Sequence, residues 1–301
     1  MNLNEINIRD PFIVADERTN TYYMYASSPE CLTKGFCVYT SDNLTDWIGP
    51  ISVFESNDDF WGTQDFWAPE VHYYKGMYYL FGSFSGNGKT RNSQILVSDS
   101  LMGPFKVHSK PIAPDGWFAL DATLYINDGT PYAIFSHEWV QVKDGEMCCI
   151  QLSDDLKTPV GEPEILFSAS RSGWSVSPDW NISASSIYVV DAPFVYNIDG
   201  KEFMLWSSWS DKKNDSYSVG VVYPVEGKSI LDGEYRHELL NLPDADCGHA
   251  MIFKDFEGNY RICYHDHNSE GGKERAKIHH INLKDGKVTV TDRKIEISAV
   301  Y

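Results

Sequence analysis

Asp10, Asp121 and Asp191 each open a stretch of chain that looks like the other two, and Trp67 and His249 open two more of the same kind. Carboxylates held close together repel, raise one another's pKa, and are tolerated mainly where chemistry uses them. An indole adds a flat apolar face for a ligand. A single Asp at such a place serves turn chemistry well enough. Three at one phase of a repeat call for a shared purpose.

The elements that must position them follow from the repeat itself. The stretches read "RDPFIVADERTNTYYMYASS", "WAPEVHYYKGMYYLFGSFS", "LDATLYINDGTPYAIFSHE", "VDAPFVYNIDGKEFMLWSS" and "GHAMIFKDFEGNYRICYHD". Each has a polar or aromatic head, an apolar run, a turn and a second apolar run, which is the pattern of a β-hairpin. Lys75-Gly76, Asp128-Gly129, Asp199-Gly200 and Glu257-Gly258 supply turn residues that accept positive φ. A second phrase, seen in "VYTSDNLTDW", "LVSDSLMGPF" and "QLSDDLKTPV", adds a third and a fourth strand to each unit. Units of this kind, repeated radially, predict an all-β fold: a five-bladed β-propeller with four antiparallel strands per blade. The reading takes residues 1–301 as a single domain. The five heads are expected at equivalent places around one axial mouth. No stretch has helical periodicity beyond a turn or two.

Composition narrows the partners. With 43 acidic against 25 basic residues the net charge is -18, so a nucleic-acid partner is not expected. No run of 18 or more apolar residues is present, so no membrane partner is expected either. Without a signal-peptide core at the first residues, a cytoplasmic location is expected. The six cysteines lack metal-site spacing and read as buried free thiols.

In order along the chain, Arg9-Asp10-Pro11-Phe12, Trp67-Ala68-Pro69-Glu70-Val71, Leu120-Asp121-Ala122-Thr123, Asp191-Ala192-Pro193-Phe194 and Gly248-His249-Ala250 resemble the blade signatures of glycoside hydrolase family 43. The resemblance spans essentially the whole chain. It implies hydrolysis of plant cell-wall glycans with inversion, by two carboxylates roughly 6.5–9.5 Å apart on opposite faces of the sugar. By position it implies Asp10 as general base, Asp121 as the residue that tunes and orients the acid, and Asp191 as general acid. The family's usual acid is Glu followed by Gly-Pro. An Asp is shorter by about 1.5 Å, so Glu138 in "SHEWVQ" stands as the alternative acid or as a substrate contact. His249 matches a channel histidine that often contacts a hydrated calcium ion. The resemblance thus implies no cofactor for chemistry, with room for a structural calcium in the central channel.

For an oligosaccharide substrate, Trp67 is the first stacking candidate, with Trp117, Trp139 and Trp209 next. Arg275 resembles a family arginine that points into the sugar pocket. His265 and His267 are expected on one face of a strand. The expected activity is release of terminal α-L-arabinofuranosyl residues, with β-xylosidase or endo-1,4-β-xylanase action as alternatives. A non-catalytic glycan-binding propeller is the rival from another class. The head and Glu-Cys signatures of retaining fructosidase-like propellers are missing.

Overall fold

A computed structural model describes residues 1–31, 34–180, 186–211, 216–284 and 287–291. Among these, twenty strands form five four-stranded antiparallel sheets, each in plain sequence order. Blade 1 is β1 (Arg9–Asp16), β2 (Thr21–Ser27), β3 (Gly35–Ser41) and β4 (Ile48–Glu55). Blade 2 is β5 (Gln64–Tyr74), β6 (Met77–Gly86), β7 (Lys89–Ser98) and β8 (Lys106–Val107). Blade 3 is β9 (Ala119–Asn127), β10 (Thr130–His137), β11 (Glu146–Leu152) and β12 (Pro159–Ser168). Blade 4 is β13 (Asp191–Ile198), β14 (Lys201–Ser210), β15 (Ser216–Pro224) and β16 (Tyr235–Leu239). Blade 5 is β17 (Gly248–Lys254), β18 (Tyr260–Asp266), β19 (Arg275–Lys284) and β20 (Lys287–Thr291). This is the five-bladed propeller that the repeat implies. One helical turn, α1 (Trp139–Val142), follows β10.

Apolar residues fill the wedges between blades. Phe36, Phe54, Phe60 and Phe84 pack between blades 1 and 2, and Trp174, Trp206, Phe167 and Met147 pack between blades 3 and 4. No strand is exchanged to close the ring among the described residues. Closure comes from the N-terminal segment, whose Ile6 and Ile8 are fully buried in the cluster joining blades 1 and 5. Ile8 N–H also donates to the Glu274 carbonyl at 3.2 Å. In three hairpins the expected two-residue turn forms with both residues at positive φ: Lys75-Gly76, Asp128-Gly129 and Asp199-Gly200. The Glu257-Gly258 hairpin is longer, because Lys254 pairs with Tyr260.

The inner strands share a second feature, which fixes the site. Each of β1, β5, β9, β13 and β17 breaks register with its neighbour near its start. The residues paired just before the break are Arg9, Trp67, Leu120, Asp191 and Gly248. The residue after each one lies at positive φ: Asp10 at 53°, Ala68 at 48°, Asp121 at 55°, Ala192 at 55° and His249 at 54°. Such a bulge bends a strand and re-aims its side chains. The five heads are therefore not all in one phase, contrary to expectation. Asp10, Asp121 and His249 occupy the bulge, whereas Trp67 and Asp191 sit one residue earlier.

Two cysteines also depart from expectation. Cys31, after β2, and Cys37, within β3, have Cα atoms 5.8 Å apart, within bridging range, and form a disulfide. The other four are buried. The sequence leaves pocket depth to the loops at residues 54–66, 170–186 and 210–217, of which residues 181–185 and 212–215 lie outside the described residues.

Candidate active site

The bulges lock the ring as well as aiming side chains. Four of the five bulged N–H groups donate to the second strand of the preceding blade. Ser27 Oγ accepts from Ala68 N–H at 2.8 Å, Ser83 Oγ from Asp121 N–H at 2.9 Å, and Ser207 Oγ from His249 N–H at 2.9 Å. His265 Nδ1 takes the same part for Asp10 N–H at 3.2 Å. That acceptor role places the His265 proton on Nε2, facing Asn268 Oδ1 at 3.1 Å. At the fifth junction Ala192 N–H donates instead to the Asp121 carboxylate, Oδ2, at 3.2 Å. Ser136 Oγ, which by symmetry would accept it, is buried without a partner.

The heads converge on a cavity of about 300 Å³ lined by Arg9, Asp10, Ser27, Trp67, Leu120, Asp121, Asp191, Tyr217 and His249. Phe12 of blade 1 meets Phe194 of blade 4 at 5.9 Å and His72 of blade 2 at 5.3 Å. Blades 1 and 4 are not neighbours, so these rings meet across the axis.

Three carboxylates share this pocket but not one protonation state. Burial pushes the Asp10 carboxyl up, and the His249 imidazolium and Arg9 overcome that, holding it well below the usual carboxylate range. His249 Nδ1 lies 3.2 Å from Asp10 Oδ1 and 3.8 Å from Asp121 Oδ2. Ser27 Oγ donates to Asp10 Oδ2 at 2.7 Å. Burial lowers the pKa of His249, but Asp10 and Asp121 outweigh it and the ring is pushed up to about 9. Asp191 moves the other way. Burial and the Asp10 charge raise it to about 6, against the opposing pull of the Tyr217 hydroxyl, which donates to Asp191 Oδ2 at 3.0 Å, and of His249. Asp121 is also raised, by burial and by the charges of Asp191 and Asp10.

Other expected contacts fall in different places. Trp67 lines the pocket and is 40% exposed, with the Arg91 guanidinium 4.2 Å from its ring centroid. Arg91 also pairs with Asp65 and Glu138. Glu138 is buried behind this wall, outside the cavity lining, with Oε2 unpartnered; burial raises its pKa to about 7 against Arg91. Trp139 packs on Trp180, which packs on Trp209 and thence on Tyr217, so it too stands back from the pocket. Trp117 stacks on His137 at 4.1 Å.

Arg275 does not reach the pocket. Its guanidinium donates to the backbone carbonyls of Asn4, Gly272 and Glu274, because β19 begins at Arg275 on the far side of the loop. The guanidinium that does line the pocket is Arg9, one residue before the Asp10 bulge. His265 and His267 are not on one face, since β18 ends at Asp266 and His267 turns away at a φ of 54°. Arg9, Ser27 and Tyr217 were not singled out from sequence. Only Ser27 left a signal, since a serine stands near the end of four of the five repeated phrases.

The donor set does not fit a calcium ion held directly by His249. Its Nδ1 faces two carboxylates, and an imidazolium offers no lone pair, whereas Ca²⁺ takes oxygen ligands. A separate group, His137, Glu146 and Cys148, could crowd around a metal, but both His137 nitrogens already face side-chain oxygens of Glu146 and Gln141.

Residues 4–288 match the profile of the glycosyl hydrolases family 43. The chain belongs to glycoside hydrolase family 43. Family 43 enzymes hydrolyse glycosyl bonds with inversion and need no cofactor for that chemistry. A crystal structure of an endo-arabinase from Bacteroides thetaiotaomicron is 42% identical and superposes with a TM-score of 0.85, covering 95% of this chain and 98% of that one. The extracellular exo-α-(1→5)-L-arabinofuranosidase ArbA of Cellvibrio japonicus is 25% identical over 93% of this chain and 81% of its own. The extracellular endo-α-(1→5)-L-arabinanase 1 of Bacillus subtilis is 23% identical over 66% of this chain and 63% of its own.

The names of the last two relatives overturn the cytoplasmic expectation for this family 43 chain. The Cys31–Cys37 disulfide agrees with that correction, since such bonds persist in oxidising compartments. Among the described residues no helix is long and apolar enough to cross a membrane.

Proposed function

We propose that this chain hydrolyses α-(1→5)-linked L-arabinofuranosyl oligosaccharides, with Asp10 as general base and Asp191 as general acid. The observation that carries the roles is the split in proton affinity between two carboxylates of one pocket. Asp10, kept ionised beside His249, takes a proton from water. The water oxygen bonds to the anomeric carbon from the face opposite the leaving group. The bond from that carbon to the glycosidic oxygen breaks, and the oxygen takes the Asp191 proton. Asp121 shares the buried charge: beside ionised Asp10, neither it nor Asp191 gives up a proton easily, so one stays in place for the leaving group. Trp67, backed by Arg91 on one face, offers its other face to the sugar.

Release of terminal residues is the first reading, as the Cellvibrio relative's name suggests. Internal cleavage is the second, supported by the likeness to the Bacteroides endo-arabinase and by one observation in this chain. The pocket shares Arg9, Ser27 and Trp67 with a second, open depression of about 600 Å³ that runs past Ser28, Asp65 and Gly272, room for more of a chain.

Proton NMR of the anomeric signals during hydrolysis of α-(1→5)-arabino-oligosaccharides and an aryl β-D-xyloside tests the proposal. The expected first product is the inverted arabinose anomer or arabino-oligosaccharide, absent with Asp10→Asn and Asp191→Asn. Turnover of the xyloside alone would displace the arabinan reading. Monosaccharide or mixed-length products separate the terminal from the internal mode.

A further inference from the structure

We propose that Tyr217 is the positioning residue that fits an aspartate to the proton-donor place in this pocket, and that Gly248 is there to seat it; this rests on the reading of Asp191 as the acid. In blades 1 to 4 the residue paired just before the bulge carries a sizeable side chain: Arg9, Trp67, Leu120 and Asp191. In blade 5 it is Gly248. A Cβ there would lie 1.9 Å from Tyr217 Cε1, so the space at the fifth head belongs to the tyrosine ring.

Tyr217 is fixed on several sides. Its carbonyl accepts from Cys247 N–H at 2.9 Å, and its ring lies 5.2 Å from Trp209 and stacks on His265 at 6.0 Å. The phenol then donates to Asp191 Oδ2. That makes the two carboxyl oxygens unequal. Oδ2 accepts, so the acid proton resides on Oδ1. An aspartate has one fewer torsion than a glutamate, and holding one oxygen fixes where the other points. The remaining ionisable neighbours act on Asp191 by charge: His249, Asp10, Arg9, Asp121 and, across the wall, Glu138.

Tyr217→Phe keeps the ring and removes the hydroxyl. The readout is kcat/KM on α-(1→5)-arabinobiose, which needs leaving-group protonation, beside 4-nitrophenyl α-L-arabinofuranoside, which needs little. The disaccharide loss is expected to exceed the nitrophenyl loss by about tenfold or more, part of the 10²–10⁴-fold that acid catalysis supplies. Because the phenol favours ionised Asp191, the alkaline limb on arabinobiose should also move to higher pH. Gly248→Ala, which evicts the ring, should give the same imbalance, larger. Equal losses on both substrates with an unmoved limb, or no loss in Tyr217→Phe, overturn the inference. Asp191→Asn measured alongside separates the two ideas: full arabinobiose turnover there removes Asp191 as the acid, whatever Tyr217 does.

Discussion

The Asp10 side and the Asp191 side of the pocket are built from the same parts and reach opposite results. Each presents a largely buried carboxylate with a hydroxyl donor, Ser27 to Asp10 and Tyr217 to Asp191. Burial pushes both carboxyls up. What differs is the near charge. Asp10 has the His249 ring at 3.2 Å and Arg9 beside it in sequence, while Asp191 has a neutral phenol. In the proposed mechanism the His249 imidazolium, with Arg9, thus sets which carboxylate serves as base and which as acid. The one-residue offset belongs to the same contrast, since Asp10 comes from a bulge and Asp191 from the paired residue before one.

Removing either side should break this contrast differently. Asp10→Asn is expected to have the largest effect, roughly 10⁴-fold on every substrate, because water activation is needed whatever the leaving group. Steady-state kinetics on arabinobiose and the nitrophenyl arabinoside would show it; a loss confined to one substrate would contradict the base role. Asp191→Asn should lower arabinobiose turnover by about 10²–10³-fold and nitrophenyl turnover far less. A near-equal loss would shift attention to Glu138.

His249→Gln sharpens the comparison by removing the cation without emptying the place. Asp10 is held low by that cation, so its pKa should rise and the acidic limb of kcat/KM should move to higher pH. On the nitrophenyl arabinoside, which needs little from Asp191, a drop of about tenfold at pH 5 with little change at neutral pH is expected, since each pKa unit is a factor of ten. An unmoved acidic limb would mean that something other than His249 keeps Asp10 ionised.

The smallest effect concerns stability at the bulges. Ser207→Ala strips the acceptor from buried His249 N–H and should cost about 1–3 kcal/mol in denaturant unfolding. Ser136→Ala removes a hydroxyl with no partner and should be close to neutral. Equal costs at the two serines would show that the ring lock is not what these hydroxyls do.

The blade count, the hairpins and the three acidic heads were legible because each depends on local pattern: alternating apolar runs, Gly turns, and a phrase repeated five times. The phase of the heads was legible only where a proline marks it. Aligning "RDPF" with "VDAPF" by their aspartates hides the offset, whereas aligning by the proline that follows in "RDPF", "WAPE" and "DAPF" puts Asp10, Ala68 and Ala192 together. Arg275 misled for a related reason. A long arginine side chain can swing towards many partners, and backbone carbonyls at Asn4, Gly272 and Glu274 captured this one. Tyr217 left no local mark, because its meaning depends on Gly248, 31 positions later and in the next blade.

The most direct test of opposed proton affinities in one pocket is the pH dependence of wild-type kcat/KM on α-(1→5)-arabinobiose beside that on 4-nitrophenyl α-L-arabinofuranoside. With Asp10 ionised well below the working range and Asp191 titrating near 6, the disaccharide rate should fall as pH rises through about 6 while the nitrophenyl rate holds. A disaccharide rate that climbs through that pH, or two profiles with one shared alkaline limb, would contradict the division of labour between Asp10 and Asp191.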